Sequence, residues 1–163
     1  MKIKKIFFGT LECTNDRRLT EIVKAGSYSF VDPRISSGSL DNKLVYEKID
    51  QEIGFLYIKE KIYVRDLLTL RGNFSPGNIV DLVLFKEKYP KLKNKKTILA
   101  PGDPFIYDNE QWCIPAIIQE GKDGSSLILD NVSESQPGYY SNVYILIKRL
   151  KEDDSDLIPG NID

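Results

Sequence analysis

Hydrophobic positions in the first third of the chain switch between the two periods that separate strands from helices. Residues 2–12 hold Ile3, Ile6, Phe7, Phe8 and Leu11 and end at polar Thr14-Asn15-Asp16, which predicts a first strand. Asn15 or Thr14 is then placed to cap a short helix over 17–24, where Leu19, Ile22 and Val23 share a face and Gly26 supplies a stop. Tyr28 and Phe30 alternate with Ser27 and Ser29, a strand-like pattern over 27–32. The segment 33–39 reads as a loop and 44–49 as a further strand. Between 54 and 71 two periods overlap: 55–58 and 62–64 resemble strands, while Arg65-Asp66-Leu67-Leu68 fits a helical turn, and both readings stay open.

The clearest helical signal starts at Ser75, a hydroxyl suited to an N-cap, followed by Pro76 where a missing N–H does no harm. Ile79, Leu82, Val83 and Phe85 supply its buried stripe. Pro90 disfavours helical geometry at Tyr89, so the helix should end there. From Thr97 onward short apolar runs are broken by turn signals at Pro101-Gly102-Asp103, Asp108-Asn109-Glu110, Gly121-Lys122-Asp123-Gly124 and Gln136-Pro137-Gly138. This rhythm predicts an antiparallel meander with strands over 97–100, 105–107, 112–119, 126–129 and 143–150. The fold class expected is α+β: a single domain over 1–150, with two or three short helices in the first 90 residues and an antiparallel β meander or small barrel-like sheet in the C-terminal part. Residues 151–163 read as an acidic tail.

Composition adds a polarity that the near-zero total conceals. Residues 1–100 carry 19 Lys and Arg against 12 Asp and Glu, and residues 101–163 carry 4 against 12, so the parts are +7 and −8 within a net charge of −1. Such asymmetry bears on partners rather than on fold. The chain, at 163 residues, 41% hydrophobic and 29% charged, has the composition of an ordinary globular protein. Its start reaches Gly9 and polar residues too early for a signal peptide, and no apolar run approaches the roughly 20 residues of a spanning helix. A cytoplasmic location with no membrane partner is expected. Cys13 and Cys113 stand far apart and outside any C-x-x-C spacing, which favours two reduced thiols over a disulfide or metal site.

There is no histidine in the sequence. Nucleophilic sites built on His, imidazole metal ligands and His general bases are therefore excluded. Asp32, Asp41 and Lys43 imitate the carboxylate and lysine arrangement of metal-dependent nucleases, and Asp103, Asp108, Glu110 and Asp130 could converge on a cation. Turn chemistry accounts for the second group without a metal. The loop Ser36-Ser37-Gly38-Ser39 lacks P-loop spacing. No cofactor and no catalytic or metal residue is assigned.

Binding chemistry is better represented. Lys86, Lys88, Lys91, Lys93, Lys95 and Lys96, with Tyr89 among them, form a basic run able to meet an acidic surface or phosphates. Arg17, Arg18 and Lys24 are helpers for the phosphate case. Asp103, Phe105, Ile106, Trp112, Ala116-Ile117-Ile118 and Leu127-Ile128-Leu129 resemble the strand order of small SH3-like or Tudor-like barrels, over about 35 residues. That resemblance implies a binding face of loop aromatics: Tyr107, Trp112 and Tyr139 or Tyr140. The expected function is a non-catalytic protein-interaction module of inhibitor, immunity or adaptor type that uses a charged face. Nucleic-acid binding or metal-dependent processing through 86–96 is the alternative, and self-association of the basic part with the acidic part is a third.

Overall fold

The computed structural model describes residues 3–11, 17–38, 51–70, 74–90, 96–102, 105–107, 111–120, 124–132 and 138–150. Within them the chain is a mixed α/β protein with four helices, all before residue 90, set against a nine-stranded, mostly antiparallel sheet. The sheet path begins with β1 (Ile3–Leu11), β3 (Gln51–Ile58) and β11 (Val143–Leu150). It continues through β6 (Ile98–Leu99), β8 (Gln111–Glu120), β9 (Gly124–Val132) and β2 (Phe30–Val31). β5 (Ser75–Pro76) pairs with β11, and β7 (Phe105–Tyr107) with β8.

The meander is realised by β7, β8 and β9, each antiparallel to the next. It is not continued by β11. That last strand crosses back to lie between β3, antiparallel over eight residue pairs, and β6, to which it is parallel. β2 on β9 is also parallel. The described strands thus form a path with β1 and β2 as its ends.

Period-two alternation gives the sheet two apolar faces. Ile53, Phe55, Ile98, Cys113, Ile117, Leu127, Leu129 and Leu146 pack against α1 (Leu19–Ala25) and α4 (Ile79–Lys88). Leu56, Ile58, Leu99, Ile114, Ala116, Ile145 and Ile147 pack under Ile62, Phe74 and the Leu67 of α3 (Val64–Leu68). A two-stranded ribbon of β4 (Ile62–Tyr63) and β10 (Tyr139–Tyr140) also covers this second face.

Three local expectations are corrected. Ser75-Pro76 does not open α4: it pairs as a strand with Lys148 and Ile147, and the helix starts three residues later. Asn78 is the cap, its side chain accepting from Val80 N and Asp81 N while Asp81 accepts from Asn78 N at 2.8 Å. The same Asp81 pairs with Lys148 Nζ at 2.9 Å, tying the helix start to β11. The segment 33–36, expected as loop, is a helical turn, α2 (Pro33–Ser36), capped by Asp32 with Pro33 in its first turn. Only Phe30–Val31 of the strand expected over 27–32 pairs. The strand expected over 44–49 lies outside the described residues.

Two glycines are demanded by geometry. At Gly9, φ is 148° and the register of β1 on β3 shifts between Phe7 and Gly9, a β-bulge. Gly102 donates its N–H to Gly77 O at 2.8 Å, and a Cβ there would sit 2.5 Å from Pro76 O, so a larger residue would force the two backbones apart.

Candidate interaction surface

Strand register assembles an aromatic row that crosses from sheet to helix. Tyr57 of β3 and Tyr144 of β11 are directly paired, with ring centroids 5.3 Å apart. Tyr144 meets Phe55 at 5.8 Å, Phe55 meets Phe85 of α4 edge to face at 4.9 Å, and Phe85 meets Tyr89 at 5.2 Å. The middle of the row is core, whereas Tyr57, Tyr144 and Tyr89 are half-buried. A lysine sits at each end. Lys96 Nζ lies 3.7 Å above the Tyr57 ring centroid and 5.7 Å from that of Tyr144, and Lys88 Nζ lies 5.6 Å from that of Tyr89. The Tyr57 hydroxyl donates to Asn142 Oδ1 at 2.6 Å, which holds the ring at the mouth of the sheet.

The same end of the sheet carries a second aromatic group on the opposite face. Lys59–Lys61 lead from β3 into the β4–β10 ribbon, and Ser141-Asn142 lead from the ribbon into β11, with Asn142 N donating to Lys59 O at 3.2 Å. Within the ribbon the alternation is sharp. Ile62 and Tyr140 turn inward, while the paired Tyr63 and Tyr139 turn outward and are 46% and 49% exposed. Lys61 Nζ lies 4.2 Å above Tyr139. Three lysines, Lys59, Lys61 and Lys96, and four accessible tyrosines therefore gather where β3 ends and β11 begins. Tyrosines of this kind combine a large apolar body with a polar tip, the side-chain type enriched at protein interfaces.

The residues selected from sequence are distributed unevenly over this surface. Lys96 is part of it and Lys88 is exposed at the far end of the row. Lys86 is turned inward, 7% exposed, with Nζ donating to Pro90 O at 3.1 Å, and burial lowers its pKa. Lys91, Lys93 and Lys95 lie outside the described residues. Trp112 is half-buried on β8, at the end of that strand away from the Ile117–Ile98 pair, and the backbone of Tyr107 is paired there on β7 opposite Gln111. Arg17 forms a two-pronged ion pair with Glu87 that fastens the start of α1 to α4. Arg18 and Lys24 are exposed.

A separate polar cluster surrounds Asp32. Its Oδ1 accepts from Arg34 N and Nε at 3.0 Å each, and its Oδ2 accepts from Arg34 NH2 at 2.8 Å and Leu129 N at 3.2 Å. Four donors fill the four lone-pair directions of a carboxylate, leaving none for a metal. Hydrogen bonds from the Arg34 guanidinium hold the Asp32 carboxyl below its ordinary pKa. Arg34 also reaches Leu129 O at 2.6 Å, Asn131 Oδ1 at 2.9 Å and Cys113 Sγ at 3.3 Å. Burial raises the pKa of the Cys113 thiol, against the thiolate that nucleophilic chemistry needs. Asp130 accepts from the Tyr140 hydroxyl, whose pKa burial raises. Among the described residues no group of three Cys, Asp or Glu could hold a metal ion. Asp41, Lys43, Asp103, Asp108 and Glu110 lie outside them, as does Cys13. No described helix is long and apolar enough to cross a membrane.

No protein-family model, curated protein or solved structure matches the chain. What defines its class is the mixed α/β fold and a tyrosine- and lysine-rich sheet end.

Proposed function

We propose that the chain is a non-catalytic, cytoplasmic protein-interaction module of inhibitor, immunity or adaptor type, which engages an acidic surface of a partner protein through the end of the sheet at Tyr57, Lys96, Lys61 and Tyr139. The observation that carries this reading is the pairing of accessible tyrosines with lysine ammonium groups at that end. Aromatic anchors supply contact area with little side-chain entropy to lose, and flanking cations steer an acidic partner and select against basic ones. Lys91, Lys93 and Lys95 precede Lys96 in the chain.

Capture from native lysate with the tagged chain, with and without nuclease treatment and at low and moderate salt, tests the reading. A stoichiometric protein partner that survives nuclease is the expected result. Recovery of nucleic acid that salt releases would replace it with the phosphate-binding alternative, because lysines interleaved with aromatic rings also suit single strands.

A further inference from the structure

We infer that β1 is an acceptor strand: an extended acidic segment of the partner protein adds to the outer edge of the described sheet along Ile3–Phe7. This rests on the interaction-module reading and names how the partner is held. β1 is the outermost strand of the sheet path and is paired with β3 on one side, and among the described residues no strand occupies its other side. A nine-residue edge is a template for another chain, and proteins usually shorten, charge or cover such edges. Here the bulge at Phe7–Gly9 ends the regular stretch, leaving five residues, Ile3 to Phe7, in unbroken register with Ile58 to Gly54. Five consecutive residues offer alternating donors and acceptors to an added strand, the mode in which main-chain bonds give affinity.

Charge selects the occupant. Lys2, Lys4 and Lys5 are the only charged residues before Glu12, and Lys59 and Lys61 follow the β3 end opposite Ile3. A second copy pairing through β1 would set one lysine-rich strand against another, and like charges across a strand pair are destabilising. An extended segment carrying Asp or Glu is complementary, and the Tyr57–Lys96 group, one strand inward, would contact what flanks it.

The test uses the full chain and a capped synthetic nonapeptide of alternating Glu and Val, followed by residue-resolved amide hydrogen exchange and by solution mass. The expected result is about tenfold slower exchange at amides within residues 3–7, a readout of added main-chain bonds. That protection should weaken with salt and disappear when alternate peptide amides are N-methylated or when Glu is replaced by Lys. Three results overturn the inference: no binding up to about 1 mM, the weak limit of specific recognition; binding that leaves β1 exchange unchanged; or protection without peptide in a solution of doubled mass, which gives the edge to a second copy. Lysate capture separates the two readings, since a nuclease-resistant protein partner together with unprotected β1 retains the interaction module and removes only the strand addition.

Discussion

The two edges of the sheet are finished in opposite ways. At β9 the outward groups of Leu129 are both occupied by side chains, its N–H by Asp32 and its carbonyl by Arg34, so one ion pair stands in for a missing strand. β2 extends the same cover with Ser29 N to Ser125 O and Asp32 N to Leu127 O, each at 2.8 Å. At β1 the described structure supplies a bulge and no covering strand. Unpaired edge groups cost little in water but invite association, so the contrast between the two ends, drawn among the described residues, is what the proposed strand addition at β1 rests on.

The comparison can be broken most forcefully at the sealed edge. Arg34→Ala removes donors from Asp32, Leu129 and Asn131, and the loss expected is about 3 kcal/mol, the upper end of the range for leaving a partly buried charged group without its hydrogen-bond partner. In a chain of this size that lowers the thermal midpoint by roughly 6–12 °C, read by calorimetry. The variant should also associate at concentrations where the parent does not, because the outward carbonyl of Leu129 loses its side-chain donor; an unchanged midpoint would show that Arg34 seals nothing.

Acid acts on the same pair more gently. The folded Asp32 carboxyl has a lowered pKa, so its contribution is complete above the unfolded value, near 4, and is lost as pH falls through the folded one. Asp32→Asn should lower the urea midpoint at pH 7 and flatten its decline below about pH 4. A parallel decline in both proteins would place the acid sensitivity elsewhere.

At the open end the expected effects fall on binding rather than folding. Replacing Lys91, Lys93, Lys95 and Lys96 with Glu should abolish partner capture while stability moves by less than about 0.5 kcal/mol, the usual scale for surface changes. Binding equal to the parent's would remove the patch from the interface. The smallest effect belongs to Lys86→Met. Its ammonium is disfavoured by burial, so in the parent stability rises as alkaline pH approaches the unfolded lysine value; the Met variant lacks that rise and captures partner normally. A loss of capture would mean that Lys86 turns outward to meet the partner.

Sequence patterning located elements well wherever one signal acted alone. β7 and β11 have the bounds expected from apolar runs between turns, and the stop at Tyr89-Pro90 follows from proline sterics. It failed where two identical signals competed. Ser75-Pro76 and Asp32-Pro33 both present a cap followed by proline, yet only the second opens a helix, because the ladder with Ile147 holds the first extended and Asn78 offers a better cap. The site was legible only in part. Lys96 was visible as one of a basic run, but its Tyr57–Tyr144 platform depends on the register of strands separated by 87 positions, which local periodicity does not carry. By residue type Asp32 imitates a metal-binding carboxylate of a nuclease, whereas its partners Arg34 and Leu129 assign it to the edge. Trp112, chosen for its aromaticity, is placed by β8 away from that platform.

The position of β11 has a consequence for how the molecule is made. It is the last described strand in the chain yet lies at the middle of the sheet, between β3 from the first half and β6 from the second. During synthesis β1 with β3, and β6 with β8 and β9, have no described strand joining them until β11 arrives, and each exposes the edge that β11 will occupy. The sheet becomes one object when residues 143–150 emerge, so the nascent chain is vulnerable to wrong pairing until then. A ribosome stalled before that point would display two sticky half-sheets rather than a partly finished version of one.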